Sequence, residues 1–224
     1  MAASSGLCTE SGKPVRFVPP GPTHPYYEVH VYETGRVQTR PDNLHDLFNA
    51  LAWLAYPRTK ARINALHAAQ LEDGKRGRSS NARGALRDLL TLFDEGGAIV
   101  ACGDRALEDM MRGHRWRELF WENRARVRAQ LRIHVLGHAV LEKALEPWPG
   151  ITCKVVFVEP GRDADVQAAA WLAARAPGAS PRDLAALPVF GYPGWLPCSE
   201  RADFYDDARY FRPLTGVKSA PGAG

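Results

Sequence analysis

Polar side chains gather most densely in Asn43-Leu44-His45-Asp46-Leu47-Phe48-Asn49. In a helix starting near Asn43, His45, Asp46 and Asn49 share one side of the first turns. There the helix offers free N–H groups and its positive dipole end, which favour anions. A phosphate or metal site can be built this way. So can a plain helix start, with Asp46 in a capping role and His45 packed as a neutral, hydrogen-bonded ring. Asp88, Asp94 and Glu95 form a second group, since paired carboxylates bind Mg²⁺ or divide acid and base work. Asp94 and Glu95 also precede Gly96-Gly97, where a turn favours Asp on its own account. His45, Asp46, Asn49, Asp94 and Glu95 are the catalytic candidates.

His138 and Glu142 stand four residues apart in a helical stretch, a spacing that holds a metal or an ion pair. They are the metal-ligating candidates, and a divalent metal is the cofactor such a cleft would use. In the tail, Asp206, Asp207 and Arg212 offer two carboxylates and a guanidinium as binding residues. An Asp–Arg pair that only pins the tail has the same residue types. An Arg-rich stretch, 115–132, interleaves arginines with Trp116, Phe120 and Trp121. With the loop around 75–84 it could contact phosphates, although solvation alone accounts for such a face. The order His30, Gly35, Arg40-Pro41-Asp42-Asn43-Leu44 loosely resembles the hairpin-then-helix core of HNH-type nucleases. By that likeness His30 is the base, Asn43 the orienting residue, and His45 or Asn49 a metal ligand. Val29 departs from it, because an acidic residue or a second histidine normally stands there.

These residues need elements to hold them. Residues 1–25 read as a flexible, Pro- and Gly-rich lead-in. Alternation in 27–33 with Thr34-Gly35 predicts a β-hairpin. Leu44, Leu47, Phe48, Leu51 and Leu54 recur at helical spacing, which predicts a helix over 43–55 with one apolar stripe. A second helix follows from Pro57 to about residue 71, then a polar, glycine-punctuated loop over 72–84. Residues 89–93 and 98–102 read as a second hairpin, and helices follow over 104–112 and 114–131. A short strand, a helix over 137–146 and a buried strand over 152–158 make a βαβ-like unit. Another helix covers 163–176. From Leu187 onward the chain is rich in Pro, Gly and aromatics, and is expected to wrap the surface by burying Phe190, Trp195, Phe204, Tyr205 and Phe211. The class is α+β: a mostly helical single domain over 26–213, with a disordered tail over 214–224.

Composition narrows the functional classes. The chain has 224 residues, 45% hydrophobic and 24% charged, which is globular usage. A formal charge of +4 is too small to signal a dedicated nucleic-acid binder. No apolar run is long enough to span a bilayer. Cys8, Cys102, Cys153 and Cys198 are scattered, with no C-x-x-C pair, and no leader pattern precedes Cys8. The expected compartment is the cytoplasm.

Six segments in order carry a family likeness: YETGRVQTRPDNLHDLFNALAWLAYPRTKARINALH, RGALRDLLTLFDEGG, WRELFW, LGHAVLEKAL, LPVFGYPGW and FYDDARYFRP. Together they resemble an uncharacterised bacterial family, domain of unknown function 3025, from Tyr26 to Pro213. Members usually carry an aromatic at the place of Leu44 and a phenylalanine at that of Tyr56, and they need no histidine at His30. The likeness implies no activity, but its motifs add Lys60 to the binding candidates. The functional reading is metal-assisted hydrolysis, of a phosphodiester, in a cleft around His45 and Asp46. The alternative is a non-catalytic protein- or nucleic-acid-binding module. Both depend on whether distant polar groups converge.

Overall fold

The computed structural model describes residues 6–21, 26–75, 81–176 and 178–214, with the side chains of 72–83 set aside. In order along the chain the main elements are β1 (Arg16–Val18), α1 (Tyr27–Thr34), β2 (Arg36–Gln38), α2 (Leu44–Ala55), α3 (Pro57–Lys75) and α4 (Asn81–Gly96). There follow β3 (Gly97–Cys102), α5 (Arg105–Arg112), a π-turn (Glu118–Glu122), α6 (Arg124–Gln130), β4 (Leu131–Val135) and α7 (His138–Lys143). The last are β5 (Thr152–Val158), α8 (Ala164–Arg175) and β6 (Ala185–Pro188).

The segment Gly97-Ala-Ile-Val-Ala-Cys102 has no charged side chain, and such a strand needs both faces covered. β3 is buried at every position inside a four-stranded mixed sheet of order β4-β3-β5-β6. It runs antiparallel to β4 and parallel to β5, so Ile99 lies between His134 and Val156. Ala98, Val100 and Cys102 face a core made with Leu107, Met111, Leu119, Phe120 and Val127. Ile99 and Ala101 face the other core, made with Ile63, Leu89, Leu90, Phe93, Ala168 and Leu172. The chain is therefore of mixed α and β class, as its pattern predicts, with an aromatic C-terminal cluster on the first face.

Several local expectations change. Residues 27–34 form a helix rather than a hairpin strand. Gly35 stops it in the left-handed conformation (φ 69°), donating to the Val31 carbonyl, and a Cβ there would lie 2.2 Å from the Pro14 oxygen. Without that hairpin the likeness to HNH-type nucleases has no structural basis. Residues 89–93 belong to α4, because Leu86, Leu89, Leu90 and Phe93 bury one helical stripe. α3 and α4 extend to Lys75 and from Asn81, so the expected loop over 72–84 is largely helical, and its residues 76–80 lie outside the described residues. β4, α7 and β5 follow in order, but β3 separates the strands and they run in opposite directions, so they do not make a parallel βαβ unit. In the expected lead-in, β1 pairs with β2 in parallel, and Leu7 is buried against Val37 and Trp53. Of the expected disordered tail, residues 215–224 lie outside the described residues.

The tail packs as its aromatics predict, with one exception. Phe190, Tyr205, Tyr210 and Phe211 are buried and Phe204 is partly buried against them, whereas Trp195 is 40% exposed and leans on Tyr192. Among the described residues no helix is long and apolar enough to cross a membrane.

α2 lies with its apolar stripe outward. Leu44, Leu47, Leu51 and Leu54 are exposed, while Ala50, Ala52 and Trp53 are buried. The polar side, carrying His45 and Asn49, therefore faces the protein. α3 is held at its start by a residue distant in sequence. The Asp165 carboxylate of α8 accepts from the Arg58 and Thr59 backbone N–H groups at 2.8 and 2.7 Å, satisfying two donors that a helix start leaves open. Asp165→Ala is expected to lower unfolding stability by about 2 kcal/mol, from the lost cap and two stranded donors. The urea midpoint measures it, and an unchanged midpoint would refute the capping role.

Candidate functional site

Four elements meet at one cleft. α2 supplies His45, Asp46 and Asn49, the C-terminal end of α4 supplies Asp94 and Glu95, α7 supplies His138, and α1 supplies Tyr27 and Glu28. The cleft has a volume of about 460 Å³ and is also lined by Gln38 and Arg40, a size that takes a small molecule. Beneath it a cavity of about 30 Å³, bounded by Glu28, Asn49, Lys60, Asn64 and Asp94, has room for a water molecule.

Lys60 is the anchor of this wall. It is only 3% exposed, and its Nζ donates to Asp94 Oδ1 at 2.5 Å and to Asn49 Oδ1 at 2.8 Å. Burial alone would push the Asp94 carboxyl up, but the Lys60 ammonium, with His138 and His67 beyond it, holds it below the usual carboxylate range. Glu28 experiences the opposite balance. Burial and then the Asp94 charge raise its pKa, against the pull of Asn64 and Lys60. Asn64 donates to Glu28 through both its backbone oxygen, at 2.9 Å, and its side chain, at 2.6 Å. The Asn64 Oδ1 is buried and accepts from none of the described residues.

The histidines form a chain of contacts. His138, 5% exposed, donates from Nδ1 to the Asp94 backbone oxygen at 2.9 Å. Its Nε2 meets His45 Nε2 at 3.1 Å, and His45 Nδ1 lies 3.0 Å from Glu142 Oε2. Carbonyl and carboxylate oxygens only accept, so each Nδ1 carries a hydrogen. Two bare Nε2 lone pairs would then face each other, and only a positive centre between them makes the contact attractive. Burial lowers the His138 pKa, against the pull of Asp94.

The remaining candidates are placed as follows. Asp46 lines the cleft but is occupied by Arg40, whose Nε and Nη2 donate to it at 2.8 Å; this pairing lowers its pKa. Its backbone N–H donates to Asn43 Oδ1, so Asn43 is the cap. Glu95 lines the cleft and is exposed. Glu142 shares the α2-facing side of α7 with His138, as the i,i+4 spacing requires, and there it pairs with His45. Among the described residues no group of three or more His, Cys, Asp and Glu side chains is arranged to hold a metal ion.

Asp206, Asp207 and Arg212 do not reach this cleft. They belong to the tail on the opposite face of the sheet, where Asp206 pairs with Arg117 at 2.5 Å and Asp207 with Arg209 at 2.9 Å. The backbone oxygen of Arg212 accepts from the Trp116 indole. The arginines of 115–132 are engaged similarly: Arg124 and Arg128 both pair with Glu200, Arg126 with Asp104 and Arg115 with Glu118. The pairs to Glu200 and Asp206 tie the helical layer to the tail, and the other two lie within that layer.

Sequence reasoning missed Glu28 and Asn64. Reading 27–34 as a strand gave Glu28 no special place, although Tyr27 and Val31 at i,i+4 before a glycine carried the helical signal. A group with a raised folded pKa contributes stability below its ordinary value of 4.5 and loses it as pH rises through the folded value. Glu28→Gln keeps an acceptor for Asn64 and removes that loss. The variant is expected to melt with the wild type below pH 4.5 and above it at neutral pH. Equal melting temperatures at both would contradict the raised pKa.

No curated protein and no solved structure matches the chain. The profile of the family described as "Protein of unknown function (DUF3025)" matches residues 15–215, a span that takes in every element from β1 to the aromatic tail. The chain belongs to that family.

Proposed function

We propose that the protein is a hydrolase acting on a small polar substrate by general acid–base catalysis in the α1/α2/α4/α7 cleft. The observation that carries this reading is that two carboxyl groups in opposite environments line one cleft. Glu28, with its raised pKa, is suited to donate a proton to a leaving group. Asp94, kept ionised by Lys60, is suited to orient water or to stabilise developing positive charge. Beneath the cleft, the buried Asn64 oxygen, which accepts from none of the described residues, offers an acceptor to a water molecule in the small cavity.

A polar helix face turned inward while leucines face solvent is a local rule broken, and such breaks concentrate at functional sites. The narrower phosphodiester reading has less support, because the cleft's cations Lys60 and Arg40 are already neutralised by Asp94 and Asp46. A neutral ester, amide or glycoside meets less repulsion from the carboxylates. The binding-module alternative draws little from the Arg-rich stretch, where Arg115, Arg117, Arg124, Arg126 and Arg128 are paired with carboxylates. Four free thiols, Cys8, Cys102, Cys153 and Cys198, favour the cytoplasm as the working compartment.

The test is turnover of a chromogenic ester, amide, glycoside and phosphodiester panel between about pH 5 and pH 8, where tuned carboxyl groups work. Asp94→Asn and Glu28→Gln, with folding checked by circular dichroism, are each expected to reduce the active signal by about 10²–10⁴-fold. No turnover across the panel by the wild type, or full activity in both variants, would overturn the reading.

A further inference from the structure

We propose that His45 and His138 together hold one divalent first-row transition-metal ion, with their Nε2 atoms as adjacent ligands and the remaining coordination positions opening on the cleft. Three observations converge on it. First, the Nε2 atoms lie 3.1 Å apart. Imidazole nitrogens about 2.0–2.1 Å from one ion, at angles between about 90° and 109°, would lie roughly 2.8–3.4 Å apart. Second, the far nitrogen of each ring is committed in the way metal-bound histidines usually are. His45 Nδ1 donates to the Glu142 carboxylate and His138 Nδ1 to the Asp94 carbonyl, fixing the tautomers that leave both Nε2 lone pairs pointing inward. Third, the rings cross at 77° instead of stacking, so the nitrogen edges meet.

A positive centre is needed between those lone pairs, and the candidates are a shared proton and a metal ion. His138 is nearly enclosed, a poor place for an imidazolium and a good one for a neutral ligand. A shared proton would therefore have to sit on the half-exposed His45 beside Glu142, and the experiment below separates that proton from a metal ion. The cation near the pair, Lys60, is already bound to Asp94 and Asn49, and Glu142 and Asp46 add negative charge on the His45 side. Two protein ligands leave the other positions to water or a substrate oxygen, one protein ligand fewer than the three of a catalytic zinc site. Imidazole donors select zinc, nickel, cobalt or copper over magnesium. Glu142, expected from its spacing to be a ligand, becomes the residue that orients one. The proposal stands on imidazole geometry and does not rest on the hydrolytic reading.

Titration calorimetry of the metal-free full chain with Zn²⁺, and separately Mg²⁺, near neutral pH is the experiment. One saturable Zn²⁺ site and no Mg²⁺ site are expected. His45→Ala, which removes a half-exposed ring, should weaken Zn²⁺ at least tenfold, and Glu142→Gln by roughly 10–100-fold. His114→Ala, on the other side of the protein, should leave affinity unchanged. ¹⁵N NMR of the wild-type imidazoles keeps the test sound if a variant misfolds, because Zn²⁺ must move the His45 and His138 Nε2 resonances. No saturable binding, unmoved resonances (a shared proton only), or affinity retained in His45→Ala would each overturn the proposal. Zinc binding without turnover would leave it intact and count against the catalytic reading alone.

Discussion

A lysine ammonium taken out of water needs a carboxylate beside it, and Lys60 has Asp94. Their contact joins α3 to the last turn of α4, and Asn49 of α2 completes the ammonium's hydrogen bonding. Removing one member of such a pair strands a buried charge, at a cost of about 3–5 kcal/mol. The pair therefore fixes more than its own geometry. It ties α2 in through Asn49 and keeps Asp94 ionised, and the Asp94 charge adds to burial in raising Glu28 across the cavity.

The rest of the cleft follows from having α4 end at the sheet. α4 passes into β3 without a loop, which places Asp94 and Glu95 at the edge of the central strand. Gly137 lies against that junction; a Cβ there would come within 2.6 Å of the Glu95 oxygen and 2.7 Å of the Gly97 nitrogen. This close approach lets the chain turn into α7 with His138 against the Asp94 carbonyl. α7 then presents Glu142 to His45 on α2. Backbone packing thus brings together two histidines from elements far apart in sequence.

The two faces of the sheet divide the labour. The layer of α5, the π-turn, α6 and the tail is closed by aromatic packing and by arginine–carboxylate pairs such as Arg117–Asp206 and Arg124–Glu200. Tyr205 and Tyr210 bury their rings there, and their hydroxyls bond the Gly191 and Ile151 carbonyls, so the tail's polar atoms are satisfied. The opposite side carries the inward polar face of α2 and the cleft. The outward leucines Leu44, Leu47, Leu51 and Leu54 are the counterpart of that inversion.

By itself the sequence determined the elements whose periodicity is unambiguous: α2, the strand β5, α8 and the aromatic wrap of the tail. It also marked His45, Asn49, Lys60, Asp94, Glu95 and His138 as chemically rich residues. It misread 27–34, because eight residues with alternating valines suit a strand as well as a short helix. It misread 89–93, where the leucine stripe continues back to Leu86 at helical spacing. Only the tertiary structure decided which side of α2 faces inward, that Glu142 serves His45, and that Glu28 belongs to the site while Arg212 does not. Periodicity sets the phase of side chains within an element. The face that turns inward is chosen by what other elements bring, here a buried ammonium that needs Asp94 and Asn49 more than the core needs four leucines.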